Sequence, residues 1–198
     1  MRKLIGITGY ARTGKDTFFN RSKRILEKEG QKATRLAFAD ALKKELDSLL
    51  VKHTGISAFT EDNEYKELIR PLLVTYGTHV RRKLNQNCWI ESIQPYVKNL
   101  LSKNHYVFIT DVRFNNEAEW IKMNGGTLVS IDRLSILPAN NEEHRERILM
   151  KKYIDYKISW PTFGEENIEQ CDEYIIPNLS HITQSMKEVN QATFKEVM

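Results

Sequence analysis

One stretch constrains what this chain can fold into more than any other: Ile5-Gly6-Ile7-Thr8-Gly9-Tyr10-Ala11-Arg12-Thr13-Gly14-Lys15-Asp16-Thr17. It reads as a buried strand, a glycine-bounded loop and the first turn of a helix. Gly9, Gly14 and Lys15 have the G-x-x-x-x-G-K spacing of a phosphate-binding loop. Small residues let backbone N–H groups curl around phosphate oxygens, and the positive end of the following helix faces the same anion. Lys15 can then bridge two phosphates as a point charge. Asp16 stands where Ser or Thr normally meets magnesium, and a hydroxyl appears only at Thr17. The context supports the motif over a chance glycine turn. An apolar run precedes it, and helix formers with Phe18, Phe19, Ile25 and Leu26 follow it until Gly30.

The chain has 198 residues, 40% of them hydrophobic and 28% charged, with a net charge of +4. That length suits one domain, residues 1–198, with insertions. The mild positive charge suits an anionic small molecule and does not demand nucleic acid. No apolar run has the length of a membrane span, and the start shows no signal-peptide pattern. Cys88 and Cys171 lack metal-ligand spacing and are expected to be reduced thiols in the cytoplasm. His144 and the other histidines show no ligand spacing either.

Strands and helices alternate, which predicts a parallel sheet covered on both faces. The expected strands are Leu4–Thr8, Ala33–Phe38, Tyr106–Thr110, Thr127–Ile131 and Tyr174–Ile176. Helices are expected from Lys15, over Asp40–Val51, over Asn115–Met123 and over His181–Val197, the last with Ile182, Met186 and Val189 inward. Residues 38–104 hold a helical region, the natural place for a substrate-binding insertion. There Pro71 is expected to start or kink a helix, Tyr76-Gly77-Thr78 to break one, and Pro95 to sit near the first turn of a helix from Trp89. Residues 133–165 are polar and broken by Pro138, Pro161 and Gly164, which predicts a mobile, lid-like flap carrying Arg133, Arg145 and Arg147.

Several residues outside the loop have chemistry to offer. Asp111 follows a buried strand, where a carboxylate can hold magnesium or an acceptor, or cap a helix. Arg113 and Glu117 could meet over the carboxyl edge of the sheet, where ligands bind in open α/β folds, or form an exposed ion pair. Arg70, Arg81 and Arg82 flank Gly77 and could grip phosphate or line a solvated helix face. Trp89 could stack on a base or pack a core.

Gly14-Lys15-Asp16-Thr17, Phe38-Ala39-Asp40-Ala41-Leu42-Lys43, Tyr76-Gly77-Thr78 with Arg81, Arg82 and Trp89, and Asp111-Val112-Arg113-Phe114-Asn115-Asn116-Glu117 with Gly125-Gly126 occur in this order. Together they resemble the deoxynucleoside monophosphate kinases of bacteriophages, within the wider P-loop nucleoside monophosphate kinase group. The resemblance covers about residues 3–132, and the Asp-Val-Arg-Phe-x-Asn-Glu string is its most specific element. Ala41 departs from the proline usual at that place, and the match fades after residue 133.

The resemblance implies a P-loop kinase with a five-stranded parallel sheet, flanking helices, a helical nucleotide-monophosphate-binding insertion and a lid. It implies that Arg12, Thr13, Gly14, Lys15, Asp16 and Thr17 bind ATP, and that Asp16, Thr17 and Asp111 hold Mg2+. Leu42, Lys43, Arg70, Gly77, Thr78, Arg81 and Trp89 would form the acceptor pocket with Asp111, Arg113, Phe114 and Glu117. Lys15, Asp16 and Arg113 would act in catalysis. The implied activity is ATP-dependent phosphorylation of deoxynucleoside monophosphates, supplying deoxynucleotides in the cytoplasm (that of a host, for a viral protein). Partners would be small-molecule nucleotides, with neither nucleic acid nor membrane, and a homodimer is compatible with the chain. The alternatives are a dephospho-coenzyme A or phosphomevalonate type of small-molecule kinase, or a non-catalytic nucleotide-binding switch module.

Overall fold

The computed structural model describes residues 3–134, 136–138 and 141–196, with side chains described except at Glu165 and from Val189 onward. The expectation for Val189 therefore lies outside the described residues, as do residues 1–2, 135, 139–140 and 197–198 of the expected domain and flap.

Two compact units make up the chain: 1–36 with 96–198, and 37–95. The first unit is an α/β sandwich around β1 (Leu4–Thr8), β2 (Ala33–Leu36), β3 (Tyr106–Ile109), β4 (Thr127–Arg133) and β5 (Tyr156–Trp160). The strands form a five-stranded sheet in the order β2-β3-β1-β4-β5, and each neighbouring pair is parallel. β1 is central and buried at every position. It can be apolar throughout because the neighbouring strands and helices α1 (Lys15–Lys28), α6 (Asn115–Met123) and α8 (Asp172–Glu196) leave neither of its faces to water. Ile5, Ile7, Phe18, Phe108, Val129, Ile131, Ile158 and Ile175 belong to one continuous core.

Parallel pairing has one consequence for function: every strand ends at the same edge. The loop after Thr8, Asp111 after β3, Arg133 at the end of β4 and Trp160 at the end of β5 all belong to that carboxyl edge.

The fifth strand is Tyr156–Trp160, not Tyr174–Ile176. Tyr-Lys-Ile-Ser-Trp alternates as a strand should, with Ile158 and Trp160 buried and Lys157 and Ser159 exposed. Tyr174–Ile176 instead lies in the first turns of α8. Only Ile175 of the three is fully buried, in line with Leu179, Ile182 and Met186 at helical spacing. A three-residue apolar run has too few members to tell one period from the other. Residues 133–165 are accordingly not one flap: besides β5 they contain the end of β4, helix α7 (Asn141–Met150) and a short 3-10 turn at Lys151–Tyr153.

The second unit is helical. It comprises α2 (Phe38–Thr54), α3 (Asn63–Val74), a π-helical segment Thr75–Arg81, a short turn α4 (Arg82–Leu84) and the start of α5 (Cys88–Ser102). Leu46, Leu50, Ala58 and Ile69 form its core, with Leu42, Leu73 and Tyr76 packed on them. β2 is shorter than expected because Phe38 already opens α2. Pro71 neither starts nor ends a helix but sits inside α3, and Pro95 lies in the middle of α5, not its first turn. At Tyr76-Gly77-Thr78 the helix does not break; it widens into π geometry, which inserts the glycine without stopping the helix.

The placement of residues 172–182 in a helix can be tested by cavity formation. Ile175 is 0% exposed. Ile175→Ala and Ile182→Ala, both at fully buried residues with i, i+7 spacing, should each lower unfolding free energy by about 2–4 kcal/mol in urea melts, while Ile176→Ala should change it by under about 1 kcal/mol. That spacing puts two residues on one face of a helix and on opposite faces of a strand, so a loss at Ile175 without one at Ile182 would overturn the helical placement.

Candidate active site

Residues 9–15 form a loop whose carbonyls are tied back. The Lys15 ammonium donates to the carbonyls of Gly9 at 2.9 Å and Tyr10 at 2.7 Å. The Thr13 hydroxyl also donates to the Tyr10 carbonyl, at 3.0 Å. Arg133 donates to the Arg12 carbonyl at 3.1 Å, and the Trp160 indole N–H to the Thr13 carbonyl at 2.8 Å. The Gly14 carbonyl takes the Phe18 N–H as the first bond of α1, at 2.9 Å. A peptide with its carbonyl fixed outward turns its N–H the other way. With the Thr13 carbonyl held by the Trp160 indole, the Gly14 N–H turns toward the start of α1, while the Thr13 N–H is spent on the Tyr10 carbonyl at 3.4 Å.

Glycine is required at both bounds of this loop. Gly9 has φ +150°, and a Cβ there would lie 2.3 Å from the Ile131 carbonyl oxygen. Gly14 has φ +91°, and its Cβ would lie 2.9 Å from the Trp160 ring. Gly14 is also the N-cap of α1 and supplies no capping side chain. No side-chain cap therefore takes up the first-turn N–H groups, which carry the positive end of the helix dipole. This arrangement fits a polyphosphate. Among the loop's other residues, Arg12 has φ +64°, and Thr13 is buried.

Lys15 is the electrostatic centre of the site. Its pKa is lowered to about 8, first by burial and then by the Arg113 charge, against the opposing charges of Asp16, Glu143 and Asp111. Lys15, Arg113 and Asp111 are thus neighbours in charge as well as in topology. Arg113 is exposed at the start of the turn after β3. Glu117 is 2% exposed, and its carboxylate accepts the N–H groups of Arg113 at 2.9 Å and Phe114 at 3.0 Å. Those bonds, both to Oε2, fix the turn that carries Arg113, so Glu117 is built into the scaffold of that turn. Phe114 caps α6 by its backbone position.

The candidate magnesium residues offer hard oxygens, the right chemistry for that ion. Asp16 is 77% exposed in the first turn of α1 and lies 3.7 Å from Arg35; Thr17 follows it. Among the described residues there is no cluster of three or more His, Cys, Asp or Glu able to hold a metal ion by themselves. Asp16, Thr17 and Asp111 would thus share the ion with phosphate oxygens and water.

The arginines expected on a flap have defined positions. Arg133 bonds to Thr162 at 2.8 Å as well as to the loop. Arg147 donates to Ser130 at 3.0 Å, pairs with Asp132 and lies over the Tyr10 ring with its guanidinium carbon 4.6 Å from the centroid. Tyr10 also bonds to His144 at 3.1 Å, and Glu146 accepts the Asn115 N–H at 3.0 Å. These contacts tie α7 to the loop, to β4 and to the start of α6. Arg145 is exposed.

In the helical unit, Gly77 is buried because Leu42 needs its space: a Cβ on Gly77 would lie 2.9 Å from Leu42 Cδ2. Its carbonyl accepts the Trp89 indole N–H at 3.3 Å. Trp89 is buried and spends its polar atom internally, which makes it a core residue and not an open stacking surface. Arg81 lies over that indole at 5.6 Å and donates to Glu45 at 3.0 Å. The Tyr76 hydroxyl donates to the same carboxylate at 2.8 Å, and this bond raises its pKa. Thr78 is half-buried in the π segment, Lys43 lies 5.4 Å from the Phe59 ring centroid, and Arg70 is exposed beside Glu67 at 3.5 Å. Both cysteines are free and buried, and burial pushes both thiols up in pKa, away from the reactive thiolate.

Sequence reasoning did not find Trp160. Its signal was the alternation of Tyr156–Trp160, which would have put an indole at the end of an edge strand.

The family model for phosphomevalonate kinase matches residues 7–127. The chain belongs to this family. A protein of Acanthamoeba polyphaga mimivirus named "Putative deoxynucleotide monophosphate kinase" is 30% identical over 91% of this chain and 98% of its own. Together with the loop and the parallel sheet, these likenesses make the chain a P-loop kinase. Both names describe kinases of a phosphate-bearing acceptor, but they differ in the acceptor. Among solved structures, the shikimate kinase of Aquifex aeolicus matches 88% of this chain and 97% of its own, with 18% identity and a TM-score of 0.48. The Mycobacterium tuberculosis APS kinase CysC matches 91% and 97%, with 15% identity and a TM-score of 0.41. No helix among the described residues is long and apolar enough to cross a membrane.

The depressed Lys15 pKa sets a pH dependence. A bound polyphosphate favours the ammonium, so above about pH 8 binding must take up a proton that the free protein has released. ATP affinity should be flat below that pH and fall by up to about tenfold per unit above it. Calorimetric titration from pH 6.5 to 9.5 checks this, with Lys15→Arg expected to stay flat. A wild-type profile without the break would mean that Lys15 keeps its ordinary pKa.

Proposed function

We propose that this protein transfers a phosphoryl group from ATP to a deoxynucleoside monophosphate, giving the diphosphate. The observation that carries this reading is the placement of Lys15, after β1, and of Asp111 and Arg113, after its parallel neighbour β3, at one carboxyl edge of the sheet, with the Arg113 charge felt at Lys15. Two cations held together against their mutual repulsion suit two anionic substrates. A P-loop that only stored a nucleotide would gain nothing from the second. The choice of acceptor is supported by the mimivirus relative, whose likeness covers 91% of the chain.

In this reading the loop N–H groups and Lys15 hold the donor's phosphates. Arg113, stiffened through Glu117, grips the acceptor's phosphate or base. Asp16, Thr17 and Asp111 would hold magnesium, which supplies charge neutralisation between the phosphates when bound. The acceptor phosphate is already an anionic nucleophile, so no strong general base is required; the protein supplies position and charge. Leu42, Lys43, Arg70, Gly77, Thr78 and Arg81 of the helical unit would shape the acceptor's pocket, with Trp89 supporting Gly77 from behind. Within residues 133–165, Arg133, Arg145 and Arg147 would serve as the lid. Nucleotide supply in the cytoplasm is the corresponding cellular role.

A second reading, phosphorylation of phosphomevalonate, is favoured by the family model. ADP release measured with each deoxynucleoside monophosphate and with phosphomevalonate separates the two. Turnover is expected with at least one deoxynucleoside monophosphate, and turnover with phosphomevalonate alone would overturn the proposal. Arg113→Ala should raise KM for the acceptor by about tenfold or more, the loss of one charge-assisted contact, and leave KM for ATP nearly unchanged. If only ATP affinity suffers, Arg113 serves the donor.

A further inference from the structure

We propose that Trp160 is a positioning residue for phosphate binding, its indole N–H pinning the Thr13 carbonyl so that the Gly14 N–H points into the phosphate cradle. The inference rests on the reading of residues 9–15 as the seat of the donor's phosphates.

Trp160 is the last residue of β5, is 3% exposed, and donates to the Thr13 carbonyl at 2.8 Å. In a trans peptide the carbonyl and the following N–H point in opposite directions. Fixing the Thr13 carbonyl on the indole therefore fixes the Gly14 N–H on the far side, toward the start of α1. The same indole backs the loop sterically, because any Cβ at Gly14 would meet Cζ2 at 2.9 Å. The ring itself cannot turn away. Phe163 meets it edge-on with centroids 6.1 Å apart, and Phe18 of α1 lies 6.4 Å from it. Arg133, half-buried at the end of β4, ties the neighbouring Arg12 carbonyl at the longer distance of 3.1 Å. The rigid constraint comes from β5, and it couples the sheet's edge strand to the loop after its central strand.

A residue that merely filled space would be replaceable by another aromatic ring. Trp160→Phe keeps most of the packing and removes the donor. Titration calorimetry with inorganic tripolyphosphate and with ATP, beside thermal melts and steady-state kinetics, tests the difference. The expected result is a folded variant whose Kd for tripolyphosphate and for ATP rises in parallel by about tenfold, the scale of one phosphate hydrogen bond. KM for the acceptor should stay within about twofold, since the acceptor is not held by this loop. Unchanged tripolyphosphate affinity in folded Trp160→Phe would overturn the proposal. If that variant does not fold, the wild-type protein still decides. The Trp160 indole N–H should exchange slowly with solvent, and the Gly14 amide resonance should shift on adding tripolyphosphate; a fast-exchanging indole or an unmoved Gly14 amide overturns the proposal. Lys15→Ala separates this from the underlying reading. Loss of tripolyphosphate binding there but not in Trp160→Phe removes only the role of Trp160, whereas no binding by the wild-type protein removes the phosphate seat itself.

Discussion

A loop that binds an anion through backbone N–H groups must satisfy its carbonyls elsewhere, and much of this structure serves that requirement. The carbonyls of Gly9, Tyr10, Arg12 and Thr13 are held by Lys15, Thr13, Arg133 and Trp160. These donors come from the loop itself, from the end of β4 and from the end of β5. An unpaired buried carbonyl would cost about 1–3 kcal/mol, and a misdirected one would put a negative dipole where phosphate must sit. The parallel order β2-β3-β1-β4-β5 is what allows the arrangement, because it brings the ends of β4 and β5, on one side of β1, to the same edge as the loop that follows β1.

The same constraint explains the electrostatics of Lys15. Its ammonium donates to the carbonyls of Gly9 and Tyr10, yet is desolvated and feels the Arg113 charge. The site is therefore poised for a ligand that relieves both costs. Glu117 makes a quieter contribution. Buried and accepting the amides of Arg113 and Phe114, it holds the turn after β3 in one shape, so the Arg113 cation is presented from a rigid base. The helical unit follows a similar economy. Gly77, Leu42 and Trp89 interlock through one missing Cβ and one indole hydrogen bond, and the π widening of residues 75–81 puts Gly77 where Leu42 can meet it.

The phosphate loop, the parallel sheet and four of its strands were legible in the sequence for a physical reason. Each depends on local rules: glycine where φ is positive, apolar runs where a strand is buried on both faces, a charged side chain at a fixed spacing. Tyr106–Ile109 needed no partner to be read as a buried strand. Tyr174–Ile176 was misread because three apolar residues carry no period, and only the packing of Ile175 with Leu179 and Ile182 identifies a helix. Glu117 and Trp89 carried polar atoms that chemistry could assign to a ligand. Whether such an atom faces a ligand or the protein's own backbone depends on what the chain brings next to it.

The sequence by itself determined that a phosphate cradle would form and where its lysine would lie, since strand, glycine turn and helix are contiguous in the chain. Only the tertiary structure decided what holds the cradle in shape. Arg133 and Trp160 reach it from 121 and 147 residues away in sequence, and no local pattern encodes a hydrogen bond between the end of an edge strand and a loop after the central one. Such bonds exist because parallel strands share an edge, which is a property of the assembled sheet and not of any segment in it.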